Sequence, residues 1–194
     1  MTKQDKNVLK RLINGCKYNE VVKKCAGLTD ANALYFTALA FDQIAAVQKN
    51  KKQPHRLSLR KSQEYIRRGL KKYPEETRFM FLSALNDLHS DHPVKALRGF
   101  RSVYNKTHEP GDLISVANAL KTCDRYNEAL KIYRKAMRAG TLSRIMIWHN
   151  IASTYKQMKK MDVAKRAARR GLREKPKNNF ERMIAEHLRQ LTKD

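Results

Sequence analysis

Four arginines recur along this chain at a nearly constant interval. Arg67, Arg101, Arg134 and Arg169 stand 34, 33 and 35 residues apart. One helical turn later come Lys71, Arg138 and Arg173, and Arg170 flanks the last of the four. A guanidinium is a planar fork of N–H donors that meets a phosphate or a carboxylate through two parallel bonds. A row of such groups is chemistry for holding an anion. Like charges one turn apart repel by about 0.2–0.5 kcal/mol per pair, so a chain that keeps the row along its length fits an anionic ligand. Few aromatic residues interleave with it, which favours contacts to backbone phosphates over base stacking.

The overall charge agrees. There are 42 Lys and Arg against 18 Asp and Glu, a net charge of +24. Solubility needs a magnitude of only about 2–8 in a small domain. The surplus points to a nucleic acid, an acidic protein or an anionic membrane surface.

Catalytic patterns are missing. The sequence holds no glycine-rich phosphate loop, no nucleophile elbow and no HExxH. His89-Ser90-Asp91-His92 is the one dense group of possible metal ligands, and it lacks further acidic or Cys partners nearby. It reads as a polar turn, so no metal, no cofactor and no enzymatic activity are expected. Cys16, Cys25 and Cys123 are odd in number and form no CxxC pair, which excludes a disulfide framework and a structural zinc site. Cys16 and Cys25 read as small buried residues.

These side chains must be positioned by helices. Seven Gly and five Pro are few for 194 residues, and Ala, Leu, Lys, Arg and Glu dominate. In Trp148 to Pro176 the first helix sets Trp148, Ile151, Ala152 and Tyr155 three or four residues apart, on one face. The second sets the small residues Ala164, Ala168 and Gly171 on the facing stripe, and Pro176 ends the unit. Earlier copies are visible. KYNEVVKKC in the first unit returns as RYNEALKIY, from Arg125 to Tyr133. Ala96, Ala129 and Ala164 stand 33 and 35 residues apart.

In chain order, residues 7–28 read as two short helices. A helix capped by Asp30 runs to about Gln48, and its partner runs from about Leu59 to Lys72 with Ser62, Ile66 and Gly69 at the close approach. Between them, residues 46–57 are an inserted basic loop or a helix extension. A third hairpin covers Glu75–Asn105 and a fourth runs from about Pro110 to Gly140. The last segment, Asn179–Leu191, is a single helix with Phe180, Ile184, Leu188 and Leu191 inward, and it covers the end of the array.

This pattern of aromatic and apolar residues facing Ala, Ala and Gly, closed by Pro, resembles the tetratricopeptide repeat. The resemblance implies an all-α, right-handed α-solenoid of about five helical hairpins with a C-terminal capping helix, one domain over residues 1–194. First helices would line a concave groove and second helices a convex face. The groove would then hold Tyr35, Phe36 and Leu39, which otherwise pack against an adjacent helix. Further along it would hold Asn118, Lys121, His149, Asn150 and Ser153. Asn118 and Asn150 match the two Asn positions with which chaperone-binding members of the family hold a carboxylate, while Ile114 stands where those members have Lys. Met137 to Leu142 with His149-Asn150 is similar to the related pentatricopeptide repeat, which binds single-stranded RNA. That likeness implies base-reading at Ser115 and Asn150.

The expected function is a non-catalytic scaffold or adaptor. It would bind a protein segment in its groove and an acidic partner through its basic convex face. The alternative is an RNA-binding solenoid on a ribonucleoprotein particle. The N-terminus lacks the apolar core of a secretory signal, and no apolar run approaches the ~20 residues of a membrane span. A cytoplasmic location follows as the expectation.

Overall fold

The structure, a computed structural model, describes residues 1–140 and 143–193. Among the described residues there are eleven helices and no strand. They fall into two compact units, Met1–Lys106 and Thr107–Asp194.

The first unit holds α1 (Lys3–Asn14), α2 (Tyr18–Cys25), α3 (Ala31–Asn50), α4 (Arg56–Lys72), α5 (Thr77–His89) and α6 (Pro93–Thr107). α1 begins earlier than periodicity indicates, because Thr2 and Asp5 form a capping box. The Thr2 hydroxyl accepts from the Asp5 N–H at 3.1 Å, and the Asp5 carboxylate accepts from the Thr2 N–H at 2.9 Å. Asp30 caps α3 as expected, accepting from the N–H groups of Asn32 and Ala33. The insertion at residues 46–57 is largely helix extension. α3 continues to Asn50 and α4 begins at Arg56, and Ser58 donates to Gln48 across the lengthened hairpin at 2.9 Å.

The second unit holds α7 (Pro110–Thr122), α8 (Tyr126–Arg138), α9 (Arg144–Gln157), α10 (Met161–Leu172) and α11 (Asn179–Lys193). Pro110 sits in the first turn of α7, where its missing N–H costs nothing. Ile184 and Leu188 of α11 are buried as expected, but Phe180 is 57% exposed. Glu181 is buried, and its carboxylate turns back to accept from the Lys177 N–H at 2.7 Å.

Each of the five hairpins turns in the same way. Cys16, Lys52, Asp91, Asp124 and Lys159 all adopt φ between 56° and 61°. The residue after each donates its N–H to a carbonyl five positions back: Lys17 to Leu12, Gln53 to Gln48, His92 to Asp87, Arg125 to Leu120 and Lys160 to Tyr155. This is a Schellman closure, which satisfies the last carbonyls of the first helix. It also exposes Cys16, which the sequence reading placed in the core. A left-handed conformation strains any residue with a Cβ. Lys159→Gly is therefore expected to raise the unfolding free energy by about 0.5–1 kcal/mol, read by chemical denaturation.

Large residues of first helices meet small residues of second helices. A Cβ at Gly69 would stand 2.2 Å from the Phe79 ring, and one at Gly171 would meet Leu188 at 2.7 Å and Trp148 at 2.9 Å. Phe79, Tyr133 and Phe100 are the largest fully buried side chains. These contacts fix the angle and depth at which each hairpin closes.

Candidate functional site

In the first unit the expected apolar groove is filled. Phe36 is 5% exposed and packs with Leu9, Val21, Cys25, Ala33 and Ala40. Tyr35 meets Phe36 and Phe79 edge-on at 5.3 and 6.4 Å, and the Arg78 guanidinium lies 4.9 Å from its ring centre. Leu39 packs against the Ala38, Ile66 and Leu82 cluster. These three are packing residues of α3 because α1, α2 and α5 close over that helix. Asp42, one turn further, is fully buried and accepts from His89 Nδ1 at 3.0 Å. Asp91 pairs with Lys49 at 2.6 Å. The His89-Ser90-Asp91-His92 turn is thus divided between two structural pairs. Among the described residues no group of three or more His, Cys, Asp and Glu could hold a metal.

In the second unit the expected groove residues come together on α7 and α9. Asn118 and Lys121 lie on α7, and His149, Asn150 and Ser153 lie on the neighbouring face of α9, all half-buried. α11 adds His187, whose ring centre is 6.1 Å from that of His149. Burial pushes the His149 imidazolium below the ordinary His range, and the charges of His187 and Lys121 push the same way. Burial also lowers the Lys121 ammonium. No carboxylate among the described residues pairs with Lys121. Asn118 is oriented from behind: the fully buried Tyr133 donates its hydroxyl to Asn118 Oδ1 at 2.5 Å. That leaves the Asn118 amide N–H groups free to donate outward. Ile114, at the position of the missing Lys, is buried. Thr141 and Leu142, in the segment similar to pentatricopeptide repeats, lie outside the described residues.

All eight cations of the expected row are exposed. Arg67, Lys71 and Arg101 belong to the first unit, and Arg134, Arg138, Arg169, Arg170 and Arg173 to the second. Four of these line a cleft of about 420 Å³ between α8 and α10: Arg134, Arg169, Arg170 and Arg173. Arg166 joins them. Its floor comes from α9, which supplies Trp148, Ile151 and Tyr155. Arg134 donates to the Tyr155 hydroxyl at 3.2 Å, and the Arg170 guanidinium lies 5.5 Å from the Trp148 ring centre. Trp148 packs against Gly171, as the facing stripes imply, and its ring also borders the cleft. The aromatic residues among the arginines come from a different helix, so the row of cations is less bare of them than its own sequence spacing indicates.

Residues 147–178, which carry this cleft's floor and its arginine wall, match the family model of the tetratricopeptide repeat. A tetratricopeptide repeat is thus recognised in this one stretch of the chain. Solved structures agree on the fold. MamA from AMB-1 aligns with a TM-score of 0.58 at 15% identity, over 86% of this chain and 94% of that one. MamA from MSR-1 aligns at 0.56 and 14%, over 95% and 94%. YrrB, described as a TPR protein with an unusual peptide-binding site, aligns at 0.57 and 13%, over 95% and 89%. Comparison with curated proteins finds no match. The tetratricopeptide-type, all-α solenoid class expected from the repeats therefore holds. No described helix is long and apolar enough to cross a membrane.

Proposed function

We propose that this chain is a non-catalytic, tetratricopeptide-type scaffold that binds an extended, acidic protein segment on the α7–α9–α11 face. The observation that carries the reading is Lys121. Its ammonium is half-buried and depressed by burial, yet it has no carboxylate partner among the described residues. A half-buried cation without a counter-charge is a cost to the fold that an anionic ligand offsets. Around it Asn118, Asn150 and Ser153 supply short polar groups suited to a peptide backbone. His149 adds positive charge once it is protonated at acid pH. The fold likeness to YrrB, with its peptide-binding site, supports the same reading.

Selection from a random peptide library is expected to enrich acidic segments. Lys121→Met and Asn150→Ala are each expected to weaken the selected peptide about 10-fold, the loss of one hydrogen bond to a charged group. Lys121→Met should at the same time stabilise the free protein by about 0.5–1 kcal/mol. A carboxylate beside His149 raises its proton affinity, so binding takes up a proton. Affinity should rise as pH falls from neutral, until the peptide carboxylates themselves protonate near pH ~4. Enrichment that ignores both substitutions would remove this face from consideration.

A further inference from the structure

The arginine cleft lies on the opposite side of α9 from the peptide face. Trp148, Ile151 and Tyr155 point one way, and His149, Asn150 and Ser153, half a turn round, the other. We propose that this cleft binds a single-stranded nucleic acid, with phosphates on the arginine rim and one base against the aromatic floor. The proposal stands apart from the peptide reading, because the two sites share no side chain.

Three observations carry it. The rim is made of guanidiniums alone: Arg134, Arg166, Arg169, Arg170 and Arg173 line the cleft, and no carboxylate does. None of the five forms an ion pair among the described residues, six of the unit's acidic side chains have other partners, and Asp162, one turn before Arg166 on α10, is exposed and outside the cleft's lining. Glu174 is held by Arg144, Glu186 by Arg189 and Glu128 by Arg125, while Glu181 accepts from the Lys177 N–H. Asp112 and Asp124 accept from Thr107 and Tyr126. The rim is therefore left with charge that the protein itself does not neutralise.

The floor is the second observation. Exposed arginines over a polar surface would serve any polyanion. Here the guanidiniums surround Trp148, Tyr155, Ile151 and Val163, and the ~420 Å³ between them falls within the range of about 300–1,000 Å³ typical of small-ligand clefts. Aromatic faces beside a cationic track are how unpaired strands are held without reading their sequence. An acidic peptide would use the charges and leave the indole idle.

The extent of the charge is the third. Residues 107–194 carry 20 Lys and Arg against 9 Asp and Glu. That surplus exceeds what a short acidic segment neutralises, and it suits a polymer with a charge at every residue.

Trp148 is the single tryptophan of the chain, so its fluorescence reports on the cleft alone. The test uses the full chain and a short uridine-only RNA strand labelled for anisotropy, with both signals read together. The strand is expected to bind and to quench Trp148, with affinity falling steeply as salt rises. Arg166→Glu with Arg173→Glu, both exposed, should weaken it more than about 10-fold and flatten the log–log salt slope by about 1–2. Lys3→Glu with Lys10→Glu makes the same change of net charge at residues outside the cleft's lining and should change affinity by less than about 3-fold. Trp148→Phe preserves an aromatic side chain against Gly171 and should retain binding. Lys121→Met should leave it unaffected.

Three results would overturn the assignment. One is an unchanged Trp148 signal on binding. Another is equal weakening by both charge-reversal pairs, which would make the binding a property of net charge. The last is displacement of the RNA by a glutamate-only peptide of the same length with equal affinity and equal quenching, which would give the cleft to an acidic protein segment.

Discussion

His89→Ala is expected to lower the unfolding free energy by about 3 kcal/mol, a fall in Tm on the order of 10 °C. The reason lies in Asp42, a carboxylate placed in the middle of α3 with no side-chain exposure at all. Its close partner is His89 Nδ1 at 3.0 Å, from the last turn of α5; the Gln43 amide reaches it at 3.4 Å. Removing the imidazole leaves a buried acceptor and its charge without compensation. That penalty exceeds what a typical contact contributes. Removing both partners avoids it, so Asp42→Leu combined with His89→Leu should come within about 1 kcal/mol of the parent protein. The double-mutant cycle decides the matter. A loss below about 1 kcal/mol for His89→Ala, or simple additivity of the two changes, would mean that the pair is incidental.

This pair also marks where sequence reasoning stopped. Hairpin order, the Asp30 cap and the small residues facing large ones were legible, because each is a local spacing of 3 to 4 residues or a repeat near 34. Asp42 and His89 are 47 residues apart and fit neither period. Helical spacing gives Asp42 a direction without saying which neighbour arrives there. Phe36 was misplaced for the same reason: α1, α2 and α5 cover that side of α3. The arginine row was legible as a period, but its convergence on Trp148 and Tyr155 was not, as the floor belongs to the first helix of the hairpin. Arg166 was missed although a signal existed. With Arg169, Arg170 and Arg173 it makes an i, i+3, i+4, i+7 stripe on one helical face. His187 left no such trace, because nothing on α11 indicates that its ring reaches α9.

The largest single-residue loss is expected at Tyr133. Its side chain is fully buried, and Tyr133→Ala should cost about 3–5 kcal/mol through the cavity it leaves. The more informative change is Tyr133→Phe. Burial raises the phenol well above its ordinary range, so the hydroxyl stays protonated and donates to Asn118 Oδ1 across the working pH range. Losing that donor should cost about 1 kcal/mol in stability. It also frees the Asn118 amide to rotate, and a free amide no longer presents its N–H groups in a fixed direction. Peptide affinity on the α7–α9–α11 face should then fall by about 5-fold, close to the cost of ordering one side chain on binding. Nucleic-acid affinity at the arginine cleft should be unchanged, because the hydroxyl and Asn118 lie outside its lining. Separate loss of one activity would locate Tyr133 as the residue that connects the core to the peptide face. Parallel loss of both would reduce it to a stability residue and leave Asn118 without an assigned orientation in the ligand site.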